Sequence, residues 1–534
     1  MFFCISFNIF SQEKYWIFFT DKKDVQFNPY EYFDKKAIER RIINDFPLNH
    51  ITDFPLKKSY VKSVSEIVDE VISETRWFNA VAVWTNSEQI RKLKKMDFVK
   101  SVKRISLRTH LTSYKDYGTN LKENQEELLK AQTLRMGGDL FDKHKINGKG
   151  VRIAIFDGGF PSVDTSPAFE HIRKNNRIIK TYNFPKKEEN VYGFNAHGTM
   201  VMSCIAGIIN GQKMGLATES EFLLARTEVN SEPFSEEENW LAAVEWADKN
   251  GAQIINSSLG YTNDRYFPED MNGTKSLVVK AANLAARKGI LVVNAMGNDG
   301  SGKWKFMGTP ADADSILSIG GTNPWTDMHT NFSSYGPTAD KRRKPNVSAY
   351  GHVIAAGKSK LVSTQGTSFS SPLVAGFASC VLQKNPKLKV MDLMKEVEKS
   401  GELYPYYDYA HGYGVPQASY FFEKNNNKFE ETFDTKIEND TLFVIIKDNY
   451  FKPDYKGLIE IRLFSDFDNF DKLSNTISLK HYLYFHVENE KSYLDNYKII
   501  RVYKKDAFAI PIKELGKNKT VRIHYKKYTK ELKF

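Results

Sequence analysis

Short apolar runs alternate with amphipathic segments through the central part of the chain. Because each run is apolar without a break, the pattern predicts strands buried on both faces of a sheet, and the segments between them predict crossover helices. The predicted strands are 151–156, 222–229, 252–258, 290–295 and 316–321, and the predicted helices include 199–209, 237–249 and 277–288. This order predicts a doubly wound, mostly parallel α/β sheet with helices on both faces. Gly251 and Gly289 each follow a predicted helix, where a left-handed residue commonly ends it.

The N-terminal part of the chain has a different order of patterns. Strand patterns cover 14–19, 78–84 and 99–105, helix patterns cover 30–42 and 87–96, and another apolar-periodic stretch lies near 64–73. Ser87 is expected to cap the second helix, with Glu88 in its first turn. These patterns predict a small antiparallel sheet covered by two helices. The polar residues 109–148 that follow predict a connector with a short helix around 123–133.

The C-terminal part of the chain loses the alternation of strands and helices. Strand-like runs lie at 441–448, 458–464, 481–487, 497–503 and 521–527, with turn residues between them. Several short strands separated by turns are typical of a β-sandwich. An all-β, sandwich-like accessory domain is therefore predicted here.

The composition is that of a folded chain with more than one domain. A length of 534 residues favours two or three domains, and 41% hydrophobic residues are enough for several cores. The charged fraction of 26% is ordinary, which argues against a disordered chain. The net charge is +11, but the lysines are spread among acidic residues along the whole length. We therefore expect a dispersed basic surface and no nucleic-acid partner, because that function would rest on the net charge alone.

The first eleven residues, 1–11, are apolar and end in a small residue before Gln12. This pattern is typical of the end of a secretory signal peptide, and a buried N-terminal strand is the alternative. The positively charged start of a signal peptide is missing, which leaves open whether the signal begins upstream of Met1. No later stretch reaches the ~18 continuous apolar residues of a membrane span. An exported protein is expected, in the periplasm, in the cell envelope or secreted, without a transmembrane span.

Three cysteines, Cys4, Cys204 and Cys380, are too few for a disulfide scaffold. Cys4 falls in the segment that a signal peptidase would remove. The other two lie in apolar, helix-like runs and are expected to pack as buried thiols, although a disulfide between them stays open.

Three polar residues at element boundaries carry the candidate chemistry. Asp157 follows an apolar strand, at the edge of a parallel sheet where ligands bind. His197 precedes an apolar helix, and Ser368 lies between a Gly-Thr turn and a helix, whose first N–H groups can stabilise an oxyanion. Each residue alone suits an ordinary role, since Asp ends many strands and His and Ser often cap helices. Together they supply a nucleophile, a base and the carboxylate that orients the base.

The motifs around these residues resemble those of the subtilisin-like serine peptidases, the subtilases of peptidase family S8. They are GKGVRIAIFDGG (148–159), NAHGTMVMSCIAG (195–207), NSSLG (256–260), AMGNDG (295–300), SSYGP (333–337), KPNVSAYG (344–351) and GTSFSSPLVAG (366–376). The resemblance implies a subtilisin-like fold and a serine endopeptidase that hydrolyses peptide bonds through an acyl-enzyme. It also implies that Asp157 orients His197, that His197 acts as base and then as acid, and that Ser368 attacks the carbonyl.

The same resemblance implies further site residues. Asn298 occupies the position where the family places its oxyanion-hole amide, which works with the backbone N–H of Ser368. Ser258, Leu259 and Gly260 would offer backbone groups to an extended substrate. A left-handed turn residue is the alternative interpretation of Asn298.

Some positions depart from the common subtilase pattern. Gly158 follows Asp157 where Ser or Thr is usual, so one hydroxyl contact to the carboxylate is missing. Phe369 and 370–371 stand where Met, Ala and Thr are usual, and Asn346 replaces a frequent Asp. These departures put the catalytic rate and the shape of the pocket in doubt, but not the reaction.

The N-terminal part resembles the subtilase propeptide, which acts as a chaperone and inhibitor. The resemblance rests on FNAVAVW (78–84) and SEQIRKLKKMDFVKSVKRI (87–105), and a permanent structural domain is the alternative. The expected division is a signal peptide remnant at 1–11, a propeptide-like domain at 12–108, a connector at 109–147, a peptidase domain at 148–425 and an accessory domain at 426–534.

The expected partners are polypeptide substrates and the chain's own N-terminal domain as inhibitor. No cofactor or metal is expected: structural calcium is frequent in the family, but no clear oxygen-ligand loop stands out.

Two other functions stay open besides nucleic-acid binding. One is a scaffold built on an inactive subtilase fold, against which the complete triad and Asn298 argue. The other is an acyl hydrolase or ligase, because a serine nucleophile does not dictate its acceptor.

Overall fold

The computed structural model describes residues 13–105, 123–229, 236–262, 266–423, 429–450, 482–502 and 507–534. The predicted signal segment, Cys4 and the strand predicted at 458–464 lie outside these residues. Within them, the chain forms an N-terminal α+β domain, a central α/β domain and a C-terminal all-β domain. The predicted fold class is confirmed in all three parts.

The N-terminal domain is built on an antiparallel sheet of four strands in the order β2-β3-β1-β4. Its strands are β1 (Glu13–Phe19), β2 (Glu70–Thr75), β3 (Ala80–Thr85) and β4 (Val99–Arg104), and its helices are α1 (Pro29–Tyr32), α2 (Lys35–Ile43), α3 (Lys58–Ser65) and α4 (Ser87–Leu93), with a 3₁₀ turn at Ile51–Asp53. One face of the sheet packs on α3 and α4 around a small core that includes Ile17, Val64 and Leu93.

Two local predictions in this domain were wrong. The helix predicted at 30–42 is two helices, because Asp34 leaves the helix and its side chain caps α2 by accepting from the Lys36 N–H. Ser87 is the first residue of α4, and Asn86 is its cap. The Asn86 side chain accepts from the Gln89 N–H while the Gln89 side chain accepts from the Asn86 N–H, a reciprocal capping box.

The central domain contains a seven-stranded sheet among the described residues, in the order β13-β12-β11-β10-β5-β9-β6, with every strand pair parallel. Its strands are β5 (Arg152–Asp157), β6 (Ile178–Asn183), β9 (Glu221–Arg226), β10 (Ile254–Ser257), β11 (Leu291–Ala295), β12 (Leu317–Thr322) and β13 (Val347–Tyr350), and two small hairpins pair β7 (Ile208–Ile209) with β8 (Gln212–Lys213) and β14 (His352–Ala356) with β15 (Leu361–Gln365). The sequence pattern missed β6 and β13. Both are edge strands, β6 only partly buried and β13 only four residues long.

Helices cover both faces of this sheet. They are α5 (Glu123–Leu134), α6 (Gly138–Lys143), α7 (Glu170–Lys174), α8 (His197–Ala206), α9 (Glu236–Lys249), α10 (Leu277–Arg287), α11 (Thr367–Lys384), α12 (Val390–Lys399) and α13 (Ser419–Phe422), with 3₁₀ turns at Pro167–Phe169 and Pro268–Asp270. The core around α8 and α11 lies on one face, and the core around α9 and α10 lies on the other. Gly251 and Gly289 have φ angles of 77° and 91°, which confirms their predicted left-handed conformation.

Trp16 and Ala82 of the N-terminal sheet belong to the α9–α10 core, so the first two domains pack together there.

The C-terminal domain has two antiparallel sheets in its described part, in the orders β16-β17-β20 and β19-β18-β21-β22. The strands are β16 (Phe433–Glu438), β17 (Thr441–Ile446), β18 (Tyr482–Glu488), β19 (Leu494–Arg501), β20 (Ala507–Pro511), β21 (Thr520–Tyr525) and β22 (Tyr528–Lys533), with α14 (Ile512–Leu515) and a 3₁₀ turn at Asp448–Tyr450. Side chains of both sheets, among them Val444 and Phe485, share one apolar core, as in a sandwich.

Cys204 and Cys380 are buried, unpaired thiols on α8 and α11. Burial raises the pKa of the Cys204 thiol to about 12 and also raises the pKa of Cys380, so neither thiol ionises near neutral pH. The expectation of packed thiols is confirmed. Among the described residues, no helix is both long and apolar enough to cross a membrane.

Candidate active site

Asp157 and His197 form a pair at the carboxyl edge of the central sheet. Asp157 is the last residue of β5 and is fully buried, while His197 is the first residue of α8. The imidazole Nδ1 lies 2.9 Å and 3.0 Å from the two carboxylate oxygens of Asp157. The Gly158 N–H donates to the same carboxylate at 2.7 Å, and the His197 N–H donates to the Asn195 side chain at 2.9 Å.

The carboxylate changes the acidity of the imidazole. Burial alone would lower the pKa of His197, because it disfavours the charged ring. The charge of Asp157 and its hydrogen bond act in the opposite direction and prevail, so the pKa of His197 is raised above its ordinary value. A histidine in this state binds a proton readily when a nearby hydroxyl gives one up.

Ser368 is the second residue of α11 and follows a sharp turn out of β15. Gly366 makes that turn with a φ of 144°, a conformation that disfavours any side chain. The Ser368 side chain is largely buried but reaches the surface, and its Oγ lies 3.3 Å from the carbonyl oxygen of Ser258. The next residue, Phe369, places its ring 5.4 Å from the His197 ring, measured between centroids. The geometry thus brings the start of α11 against the Asp157–His197 pair.

Asn298 lies in the loop after β11, beside the start of α11. Its side-chain oxygen accepts from the Thr367 N–H at 2.9 Å and from the Thr367 hydroxyl at 3.0 Å. These two bonds hold the amide so that its oxygen faces Thr367 and its NH₂ group stays available as a donor. Asn298 itself is exposed. Sequence patterns missed the role of Thr367, although its position directly before Ser368 places it next to any oxyanion donor.

The 258–260 segment continues β10 toward the same place. The Ser258 hydroxyl donates to the Ser368 carbonyl oxygen at 2.9 Å, and the Leu259 carbonyl accepts from the Asn294 side chain at 3.0 Å. A Cβ added to Gly260 would meet nothing within 4 Å, so the backbone has open space there. An extended peptide could pair with this open backbone.

The match to a family model decides the family. Residues 148–414 match the model described as the subtilase family of peptidase S8. The chain belongs to the subtilase family. Residues 14–122 match a second model, the peptidase S8 propeptide domain of Bacteroidota. The protein is therefore a subtilisin-like serine peptidase that carries a propeptide domain of the S8 type.

Individual relatives agree with this assignment. Subtilisin DY of Bacillus licheniformis is 29% identical over 271 residues, which cover 51% of this chain and 92% of that protein. Subtilisin E of Bacillus subtilis is 26% identical over 355 residues, covering 66% and 82%. The solved structure of the epidermin leader peptide processing serine protease of Staphylococcus aureus superimposes with a TM-score of 0.55 at 15% identity, covering 78% of this chain and all of that chain. That structural likeness shows the fold.

A carboxyl group beside Asp157 in this subtilase was not predicted. Glu228 lies just beyond β9, the strand next to β5, and a Cβ on Gly158 would come within 3.3 Å of its Oε2. Burial and then the neighbouring Asp157 raise the pKa of Glu228 well above its usual range. Glu228 follows the carboxyl end of β9 as Asp157 ends β5, so the same position at the edge of a parallel sheet points to both carboxyl groups.

A metal centre is not found in the part of the chain that the structure describes. Among those residues, no group of three or more His, Cys, Asp and Glu side chains is placed to hold a metal ion. The expectation that the enzyme needs no cofactor or metal stays a prediction.

Proposed function

We propose that this subtilase is a serine endopeptidase with Asp157, His197 and Ser368 as its catalytic triad and Asn298 in its oxyanion hole. The observation that carries the proposal is the hydrogen bond at 2.9 Å between His197 and the buried Asp157, beside the helix start that presents Ser368. A serine hydroxyl is a weak nucleophile until a base accepts its proton, and this pair is such a base. The ordered motifs around all four residues support the same roles.

The proposed reaction has two stages, acylation of Ser368 and hydrolysis of the acyl-enzyme. His197 takes the proton from Ser368 Oγ at its Nε2 while Oγ bonds to the carbonyl carbon of the substrate. His197 then gives that proton to the leaving amine as the peptide bond breaks, which leaves the acyl group on Ser368. Water loses a proton to His197, attacks the ester carbonyl and releases the new carboxyl terminus, and the proton returns to Ser368 Oγ.

Two groups stabilise the charge that forms on the substrate oxygen. The NH₂ group of Asn298 donates to it from one side, because Thr367 already holds the amide oxygen. The backbone N–H of Ser368 donates from the other side, at the positive end of α11. Asp157 keeps the proton of the neutral ring on Nδ1, so that Nε2 has the free lone pair.

The proposed substrates are polypeptides bound in extended form. The open backbone at 258–260 continues a strand of the sheet and can add a substrate strand by main-chain hydrogen bonds. Export of the protein is part of the proposal, supported by the propeptide domain and by the apolar segment 1–11. The domain division is also proposed: a propeptide-like domain at 12–108, a connector at 109–147, a peptidase domain at 148–425 and an accessory domain at 426–534.

The N-terminal domain is proposed to inhibit the enzyme through the connector that follows it. Its last described strand, β4, ends at Arg104, and the chain continues into the connector before α5 begins. The trailing segment near 105–125 would fill the substrate groove. Cleavage there by Ser368 would be the first step toward a mature enzyme.

A fluorophosphonate probe tests the proposal directly. The expressed chain should be labelled at Ser368, located by peptide mass mapping, and should digest casein, while Ser368→Ala should do neither. An unlabelled but folded wild type would favour the inactive scaffold. Labelling without cleavage of casein would favour another acyl hydrolase.

A further inference from the structure

The segment between β1 and β2, residues 20–69, forms an arm that binds the central domain away from the candidate active site. The Asp34 N–H donates to the Lys249 carbonyl at 2.9 Å, Lys36 Nζ donates to the Gly150 carbonyl at 2.6 Å, and Arg40 Nε donates to the Lys288 carbonyl at 3.1 Å. These three carbonyl groups lie in the segments that lead into β10, β5 and β11. Because the strands are parallel, their amino ends lie at the edge of the sheet opposite to Asp157.

Five charged side chains meet at the centre of this contact, three from the arm and two from the central domain. Arg41 donates to both carboxylate oxygens of Asp248, at 2.9 Å and 2.6 Å, and Arg40 pairs with the same carboxylate. Lys288 lies 2.5 Å from a carboxylate oxygen of Asp53, to which Arg41 also donates at 3.2 Å. All five residues are at most 3% exposed. We name this group the ionic cluster.

Aromatic rings close the ionic cluster off from water. The Arg41 guanidinium lies 3.8 Å from the centroid of the Phe33 ring, and Lys288 Nζ lies 4.8 Å from the Phe46 ring and 5.0 Å from the Trp77 ring. Buried pairs such as these are screened by salt much less than surface pairs. Asp248 takes its cationic partners from the arm, and Lys288 takes its carboxylate partner from the arm, so these pairs cross the contact.

The charges at the amino edge of the central sheet match those of the arm. Without the arm, the central domain would present Asp248, Lys288 and the backbone carbonyl groups that the arm now binds at the base of its sheet. The arm supplies the opposite charges. Arg40 and Arg41, which are adjacent on α2, pair with Asp248, and Asp53 pairs with Lys288. The chain's own arm has these groups in the required places.

We propose that the amino edge of the central sheet is a second docking surface, and that the arm keeps the N-terminal domain bound there after the connector is cut. The cleaved protein is then a two-chain complex whose inhibitor is held at a distance from the groove it blocks. This inference rests on the proposed inhibition and cleavage of the connector. The arm, and not the trailing segment in the groove, determines how long the inhibitor stays.

The test separates retention from self-cleavage. A recognition sequence for an unrelated, highly specific protease is placed within 106–122 of the full-length Ser368→Ala chain, and that protease cuts it. Gel filtration followed by denaturing gels then shows whether the two fragments elute together, and a dilution series gives their dissociation constant. A chain that never cuts itself can still be tested in this way.

Arg41→Met and Lys288→Met change the ionic cluster from its two sides, and Lys35→Met is the matched control. Lys35 lies on the same helix as Arg41, with its side chain 89% exposed. Arg41→Met removes two charged hydrogen bonds to Asp248, and Lys288→Met removes one to Asp53, all of them across the contact, so each cluster variant should raise the dissociation constant by about tenfold or more. The parent and Lys35→Met should elute as complexes, with little change at high salt.

Two results would overturn the inference. Fragments of the parent that separate on gel filtration would mean that no lasting complex exists. Equal dissociation constants for all variants would mean that the apolar face of the N-terminal sheet alone holds the domain. Each uncut variant must first show one cooperative melt, and Lys288→Met decides the matter if Arg41→Met does not fold.

Discussion

At the scale of single residues, Asp157 and burial act on His197 in opposite directions. Burial lowers its pKa, the carboxylate raises it, and the net effect is a pKa above the ordinary 6.5. The base works only as the neutral ring, so kcat/KM should rise with pH through a midpoint above 6.5. A pH profile with a neutral peptide substrate measures this midpoint. A midpoint below the ordinary value would contradict the pairing of the two side chains in the active enzyme.

Asn298 allows a prediction about which kinetic constant changes. Its NH₂ group is needed only when the oxyanion forms, so Asn298→Ala should lower kcat by about 10²–10³-fold and leave KM nearly unchanged. Steady-state kinetics on one peptide substrate measure both constants. Asn175→Ala is the matched control, because it removes an exposed amide at the end of α7 that donates to the His171 carbonyl of its own helix. An effect confined to KM would reassign Asn298 to substrate binding.

At the scale of elements, α9 holds the N-terminal domain by a carboxyl group. Glu245 accepts from the N–H groups of Arg76 and Trp77, at 3.0 Å and 3.2 Å, and from the hydroxyl of Thr75. Burial raises the pKa of Glu245 from 4.5 to about 7. Lys22 and the three donors face this carboxyl group, and desolvation outweighs them.

The raised pKa predicts a pH-dependent association of the two domains. The assembled form retains a proton that an exposed Glu245 would lose, so affinity is highest below pH 4.5 and falls as the pH rises to about 7. The cut Ser368→Ala complex should therefore weaken by about tenfold or more between about pH 5 and pH 8, relative to Glu245→Gln. Dissociation constants at both pH values measure the difference. The same pH dependence in both chains would assign it to other groups, such as His50 or Lys22.

At the scale of the whole molecule, the order of domains predicts a maturation step. The expressed wild type should be cut in the connector, because we propose that the segment near 105–125 fills the groove as a substrate would. Ser368→Ala should keep the intact chain. Intact mass spectrometry under denaturing conditions detects the cut even if the two pieces stay associated.

The outcome of this comparison bears on the N-terminal domain. If both chains stay intact and the domain does not inhibit, it is a permanent structural domain and the propeptide role is wrong. If both chains are cut at the same bond, another protease performs the maturation and the triad is not responsible for it.

Much of the fold follows from the sequence alone. Unbroken apolar runs and the residues that end helices are local features, and they predicted the central strands, the helices on both faces and the left-handed Gly251 and Gly289. Asp157, His197 and Ser368 could be selected because each stands at an element boundary inside a short motif. Local pattern also has local limits, since it placed the cap of α4 one residue too late and joined α1 to α2 across Asp34.

The tertiary structure decided what depends on residues far apart in the chain. Arg41 meets Asp248 and Thr367 holds Asn298 only after the sheet has formed, and no spacing rule relates such pairs. Glu228 lies beside Asp157 because β9 and β5 are neighbours, an order that crossover connections do not reveal. A sequence determines its elements through contacts between near neighbours, whereas the packing of the elements determines which charged groups meet. The acidity of the site and the contacts between the N-terminal and central domains arise from that packing.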